Sequence, residues 1–276
     1  MKTTQFTVIG GAGFIGRNLV AHLSALGHTC FVPLRDDPQV FARPLGHVIY
    51  AAGLTSDFRS RPLDTVESHV CLLRRIIASA DFTSLTYLSS TRVYAGSSDT
   101  SEAARLMVDP HDPGDLYNLS KLMGESLCLH GGPSDMKVAR LSNIVGLRPD
   151  ADSFIDQLLE EGFTALGRVL LKTALASRKD YLYVDDAVAL IVAIAVSPAR
   201  GIFNVASGEG VSNGEIAELL HRDLKFDIQV APDAPTWKFE KIDNRRVREV
   251  FGFAPRKFSE YFPDYLNLYR QNKGTL

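Results

Sequence analysis

Residues 6–17, Phe-Thr-Val-Ile-Gly-Gly-Ala-Gly-Phe-Ile-Gly-Arg, constrain this chain more than any other stretch. An apolar strand runs into glycines spaced three apart, and an amphipathic helix comes at once after them. Gly10 permits a tight turn, Gly13 lets backbone approach a pyrophosphate, and Gly16 lets the helix pack on the sheet. The helix start, with Phe14 and Ile15, offers unpaired amides and a positive dipole end to an anion. Leu19, Val20, Leu23 and Leu26 continue its buried face, and Gly27-His28 ends it. Glycines placed between such a strand and helix point to a dinucleotide-cradling turn.

Composition narrows the classes further. The 276 residues are 45% hydrophobic, enough for a large core, and 30 basic against 32 acidic side chains leave a net charge of -2. No global field favours nucleic acid or an anionic membrane. Cys30, Cys71 and Cys128 have neither paired nor metal-like spacing and read as core thiols of a reducing compartment. No signal-peptide pattern opens the chain, and the longest apolar run, Ala187 to Val196, is about half a membrane span. A soluble cytoplasmic protein without a bound metal is the expectation.

Strand and helix signals alternate along the first two thirds. Strands are predicted at 29–34, 47–53, 85–90 and 136–141, with helices bearing Val66, Val70, Leu73, Ile76 and Ile77 and spanning 116–130. Only about a dozen residues separate the second and third strands, too few for a crossover helix plus another strand. The expected fold is α/β, a Rossmann-like doubly wound parallel sheet with a small C-terminal substrate-binding lobe. Residues 1–145 plus 182–206 would form the NAD(P)-binding domain, and 146–181 plus 207–276 the lobe. Beyond Gly146, helices are predicted at 154–161, 186–196 and 212–220, an extended segment at 181–186, and a returning strand at 201–205. Ser212 and Glu215 have capping-box spacing. Asp185-Asp186 is read as starting a helix, Arg140 as capping its strand end, and Trp237 as a lobe-packing residue slightly ahead of a sugar platform.

Tyr117 and Lys121 are four apart in a helical segment and so share a face. An ammonium beside a phenol favours the phenolate, moving the oxygen toward acid–base service. The strand ending Ser89-Ser90-Thr91 brings Ser90 to the carboxyl edge of a parallel sheet, the usual ligand side. Ser90, Tyr117 and Lys121 are therefore the candidate catalytic set. Tyr117 would exchange a hydroxyl proton, Ser90 would bond the same oxygen, and Lys121 would hold ribose hydroxyls.

In order along the chain stand Gly10-x-x-Gly13-x-x-Gly16, Ala51-Ala52-Gly53, Ser89-Ser90-x-x-Val93-Tyr94, Tyr117-x-x-x-Lys121, Arg140-x-x-Asn143-x-x-Gly146, Val184-Asp185-Asp186 and Phe203-Asn204-Val205. This series resembles the extended short-chain dehydrogenases/reductases, in their nucleotide-sugar epimerase/dehydratase branch, over nearly the whole chain. The resemblance implies a cofactor site that includes Ala51, Ala52 and Gly53. It implies substrate contacts from Thr91 with Arg92 beside it, from Asn143 and Phe154, and from Arg178 or Lys179 and Lys238 or Arg245 at a diphosphate. It also implies a homodimer.

Departures from that pattern bear on the reaction. Similar dehydratases place Asp-Glu directly after the Ser/Thr, where this chain has Thr91 and Arg92, so 4,6-dehydration is disfavoured. At the end of the second strand, where NAD enzymes carry an acid for the adenosine ribose, stand Leu34 and Arg35. Arg35 could pair with a 2′-phosphate, so NADP is expected, with NAD as the alternative if Asp36 or Asp37 restores the acid. The expected activity is C4 keto reduction of a nucleotide-linked sugar. A nucleotide-sugar 4-epimerase, a reductase of a small non-nucleotide carbonyl, and a binding protein that lost its chemistry are the rivals.

Overall fold

The computed structural model of the chain describes residues 3–55, 57–132, 135–148 and 153–274. Its first strand, β1 (Gln5–Ile9), is buried along nearly its whole length, as a strand covered on both faces must be. Beside it lie β2 (Thr29–Phe31), β3 (His47–Tyr50), β4 (Ser84–Ser90), β5 (Asp135–Leu141) and the later strand β9 (Gly201–Val205). They form one six-stranded sheet in the order β2-β1-β3-β4-β5-β9, and every pairing in it is parallel. The shortened nucleotide half anticipated from spacing is present: only a 3-10 turn, Pro38–Phe41, joins β2 to β3.

Helix α1 (Phe14–Ala25) buries Gly16, Leu19 and Leu23, while Leu26 forms the C-cap and stays exposed, one turn short of the expected stripe. The second crossover is a short helix α2 (Pro62–Val66), a π-turn at Glu67–Cys71, and α3 (Leu72–Ser79). Helix α4 (Asp115–His130) crosses β4 so closely that a Cβ on Gly124 would lie 2.5 Å from the Tyr87 ring. Only glycine allows that approach.

A short strand β6 (Asn143–Val145), helix α5 (Phe154–Thr164) and strands β7 (Arg168–Leu171) and β8 (Arg178–Tyr183) come next. Helix α6 (Val184–Val196) is apolar nearly all round because it is buried between α1 and the sheet. It begins two residues earlier than expected. Its cap residue, Tyr183, makes no side-chain cap bond, and Asp186 pairs with Arg256 at 3.0 Å instead of satisfying the first amides.

Strand β10 (Gly210–Ser212), helix α7 (Asn213–Leu224), strand β11 (Asp227–Val230) and helices α8 (Arg245–Phe251) and α9 (Phe258–Gly274) complete the chain. Two small sheets, β10-β8-β6 and β11-β7, and an aromatic cluster of Phe258, Tyr261, Phe262, Tyr265 and Tyr269 give this part its own core. The capping box at Ser212 and Glu215 forms as the spacing requires. Trp237 is not part of that core. It is half exposed, and its amide donates to Ser177.

A buried ion pair ties α4 to the sheet. Arg140 on β5 grips Glu125 on α4 through two bonds of 2.9 and 2.6 Å, and the Ser89 hydroxyl on β4 donates to the same carboxylate at 2.6 Å. Arg140 also donates to the Tyr94 hydroxyl, which donates to Asn204 on β9. So Arg140 crosses to a helix rather than capping its own strand. Arg140→Leu would strand the Glu125 charge in the core and cost about 3–5 kcal/mol of unfolding free energy. Urea titration should show that loss, and Glu125→Leu added to it should recover a large part.

Candidate active site

The carboxyl ends of β1, β3, β4 and β5 open onto one crevice of about 670 Å³. Its floor at one end is the glycine turn. Gly10 has φ +84°, and a Cβ on Gly16 would sit 2.2 Å from the Gly10 carbonyl oxygen. No side chain fits at either place, so the turn and the α1 amides form a bare backbone cradle. Gly13, Phe14, Ile15 and Gly16 line it, with Arg17 beside them and Ala51, Ala52 and Gly53 opposite. This cradle fits a dinucleotide pyrophosphate by shape and by donor chemistry.

Leu34 and Arg35 are not among the lining residues. Strand β2 ends at Phe31, three residues before the sequence pattern suggested, and both lie exposed in the loop after it. Strand propensity in Val32 and Leu34 gave the longer reading, and Pro33, which has no amide to donate, stands within it.

Ser90, Tyr117 and Lys121 all line the middle of the crevice. Ser90 caps the 3-10 turn Thr91–Tyr94, accepting the Arg92 amide at 3.1 Å, and its hydroxyl favours ionisation of the Tyr117 phenol. Tyr117 is buried against Phe58, with ring centroids 5.3 Å apart, and against the edge of His69 at 5.4 Å. Burial raises its pKa, while Ser90 and the Arg92 charge oppose that rise. The expected ammonium–phenol coupling is thus carried by Arg92. Lys121 Nζ sits 5.8 Å from the Tyr117 ring centroid and donates to the Leu88 carbonyl at 3.0 Å.

Desolvation lowers the Lys121 pKa to about 7, against a raising influence from Glu125. Behind it His69, in the π-turn, bonds Ser120 at 2.8 Å, and its other ring nitrogen is buried beside Gly53. Burial and the Lys121 charge keep this imidazole neutral.

The far end of the crevice holds Thr91, Arg92, Asn143, Phe154 and Lys179. Asn143 donates to the Asp180 carbonyl at 2.8 Å, and the Lys179 ammonium stands 5.2 Å over the Phe154 ring. Arg178 and Lys238 are not brought here. Arg178 is exposed, bonded to the Gly210 carbonyl and paired with Glu215 at 3.5 Å, and Lys238 is exposed outside the crevice. Arg245, the alternative to Lys238, is likewise exposed and spent on Asp243.

Sequence reading missed Phe58, Asp180, Phe239, Glu240 and Ile242, all lining residues. Asp180 is buried and accepts the amides of Ser207 and Gly208 at 3.0 and 2.7 Å, a role no local pattern announces. Among the described residues no group of three His, Cys, Asp or Glu side chains could hold a metal ion, and no helix is long and apolar enough to cross a membrane.

Comparison with known proteins agrees with this arrangement. The model of the NAD dependent epimerase/dehydratase family matches residues 6–206, and the chain belongs to that family. It is similar to the GDP-6-deoxy-D-mannose reductase of Pseudomonas aeruginosa, with 28% identity over 273 residues, 89% of this chain and 88% of that protein. The structure of MoeE5 in complex with UDP-glucuronic acid and NAD shares the fold at TM-score 0.82 and 20% identity, over 97% of this chain and 99% of that one. UDP-N-acetylglucosamine 4-epimerase from Methanobrevibacter ruminantium does so at TM-score 0.80 and 19% identity, over 96% of each chain.

The lowered Lys121 pKa has a sign that can be checked. The unfolded chain keeps this proton to about pH 10.4 and the folded chain to about 7, so between those values the unfolded state binds more protons. The penalty of burying the ammonium is constant below pH 7 and is relieved as pH rises toward 10. Urea unfolding of wild type and Lys121→Met from pH 6 to 10 should show wild type gaining on the variant across the upper window. Parallel curves would contradict a desolvated amine.

Proposed function

We propose that this protein is an NAD(P)-dependent enzyme that oxidises and re-reduces C4 of a sugar carried on a nucleoside diphosphate, as a 4-epimerase. The carrying observation is the convergence of Ser90, Tyr117 and Lys121 in one crevice with the glycine cradle. A bound dinucleotide would supply the hydride chemistry, held by the glycine turn, the Ala51–Gly53 strand end and Lys121. Tyr117 takes the C4 hydroxyl proton and returns it, Ser90 donates to the same oxygen, and Arg92 biases the phenol toward ionisation. Lys179, Phe154 and Asn143 at the other end suit a diphosphate and its nucleoside.

Thr91 and Arg92 stand where a dehydratase would need a carboxylic acid. Of the carboxylates on the crevice wall, Asp180 is committed to two backbone amides and Glu240 lies exposed. The site therefore has groups to move one proton and one hydride at a single carbon and no evident acid for expelling a hydroxyl. The similar 4-epimerase and the NAD in the MoeE5 complex support this reading.

A second reading, net C4 keto reduction with NADPH, is favoured by two observations: no acidic residue stands in the four positions after β2, Val32 to Arg35, and the GDP-6-deoxy-D-mannose reductase is similar over most of both chains. One assay separates the two. An epimerase interconverts two saturated nucleotide-sugars without net change in cofactor absorbance, and a reductase consumes one NADPH per 4-keto sugar. In either case Tyr117→Phe should lower kcat by about 10²–10⁴-fold with the fold intact. An unchanged rate would remove Tyr117 from the chemistry. Absence of any binding to UDP, GDP or dTDP would remove the nucleotide-sugar reading.

A further inference from the structure

Arg92 lies in the 3-10 turn directly after Ser90, and its guanidinium reaches over the Tyr117 ring at 5.9 Å and the Phe58 ring at 5.5 Å. It lines the crevice. Among the described residues no carboxylate comes within ion-pairing distance of it, and its Nε is buried without a hydrogen-bond partner. Asp112 and Asp115 act on it only at longer range.

A second guanidinium, Arg59, stands beside it. A Cβ placed on Gly114 would meet Asp112 Oδ1 at 3.1 Å and the Arg92 and Arg59 terminal nitrogens at 3.2 and 3.4 Å, so both forks converge on one small region whose carboxylate accepts the Gly114 amide at 2.7 Å. Burial and the Arg59 charge both act to lower the Arg92 pKa. Lys179, further along the same wall, is disfavoured as a cation by burial and by the Arg92 charge. A buried guanidinium beside a like charge, with Nε unpartnered and Asp112 and Asp115 only at longer range, raises the free energy of the empty site, and an anionic ligand relieves it.

The diphosphate expected at the Lys179 and Phe154 end accounts for Lys179. Arg92 shares that end, but its guanidinium reaches over the ring of the phenol that works on the sugar. The phenol does not neutralise it, because burial holds the proton on Tyr117. A planar fork also matches a carboxylate through two parallel bonds, which a sugar hydroxyl cannot accept.

We propose that Arg92, supported by Arg59, is a specificity site for a carboxylate borne by the sugar next to its reacting carbon, so that the preferred substrate is a nucleotide-linked uronic acid. This inference rests on the nucleotide-sugar reading and narrows it. This role is separate from the bias that Arg92 exerts on the Tyr117 phenol. Arg92 selects the sugar and holds the ring against Ser90 and Tyr117.

Calorimetric titration of the full chain, with dinucleotide present, tests the site using UDP, UDP-glucose and UDP-glucuronate, and GDP, GDP-mannose and GDP-mannuronate. In the series whose base is accepted, wild type should bind the uronate about ten- to a hundredfold more tightly than the neutral sugar. Arg92→Gln should erase that preference while leaving affinity for the free nucleoside diphosphate within about twofold. Arg92→Lys, which keeps charge but not the fork, should retain a fraction of it, and Arg59→Gln should weaken it partially. The variants' melting temperatures show whether the fold is kept, and Arg59→Gln, on an exposed side chain, reads the same preference if Arg92→Gln does not fold.

Equal wild-type affinity for uronate and neutral sugar overturns the proposal. So does loss of free nucleoside diphosphate binding in Arg92→Gln in proportion to loss of uronate binding, because Arg92 would then belong to the diphosphate clamp. Wild type that binds no nucleoside diphosphate fails earlier and differently, since it rejects the nucleotide-sugar reading itself.

Discussion

The bonds between Glu125 and Arg140 decide where everything else in the crevice stands. Glu125 is one turn beyond Lys121 and two beyond Tyr117 on the same helix, so fixing it against β5 fixes the register of both side chains over the sheet edge. Ser89 joins the same carboxylate, and Ser89 is adjacent to Ser90. One buried charge pair thus locks the strand that offers the hydroxyl to the helix that offers the phenol and the amine. Such a pair is costly to desolvate and contributes little net stability, yet its bidentate geometry leaves little freedom to slide. Gly124 acts in the same sense by letting the helix lie hard against Tyr87.

Electrostatics in the crevice then depend on burial more than on pairing. Burial lowers the Lys121 pKa to about 7, Tyr117 holds its proton, and His69 behind them stays uncharged. The cation acting on the phenol is Arg92, which comes from a different element. Tyr117 and Lys121 share a helix face as their spacing requires, yet the ammonium is drawn to the Leu88 carbonyl and sits near the ring rather than on the oxygen. An incoming ribose with two hydroxyls offers Lys121 new acceptors, and the amine is placed between the strand end and the phenol to use them.

The parts of this architecture with a period or a fixed turn requirement were legible in the amino-acid sequence. The glycine turn, the alternation of strands and helices, the missing crossover before β3, the capping box at Ser212 and the face shared by Tyr117 and Lys121 each derive from local rules. The readings that failed depended on partners distant in sequence. Arg140 reads locally as a strand-end charge, but its partner is fifteen residues earlier on another element. Arg178 and Lys179 are adjacent and chemically alike, and strand alternation sends one to solvent and the other to the crevice, so register decides which is useful. Leu34 and Arg35 were placed by extending an apolar strand past Pro33, and the backbone stops earlier.

The chemistry open to the site is limited by the two residues next to Ser90. A carboxylic acid there could protonate a leaving hydroxyl, whereas Thr91 and Arg92 can only donate hydrogen bonds or charge. Reaction at a single carbon needs nothing more than Tyr117, Ser90 and a hydride carrier, so exchanging an acid for Arg92 removes one reaction and leaves the other intact. The same exchange places a desolvated positive charge within 6 Å of the reacting region. That charge opposes a second cation more strongly than it opposes a neutral group, because little water remains to screen it. A substrate that brings a negative group to Arg92 offsets this cost, while a neutral one leaves it in place. Selection among sugars would then arise from the residue that sets the limits of the chemistry.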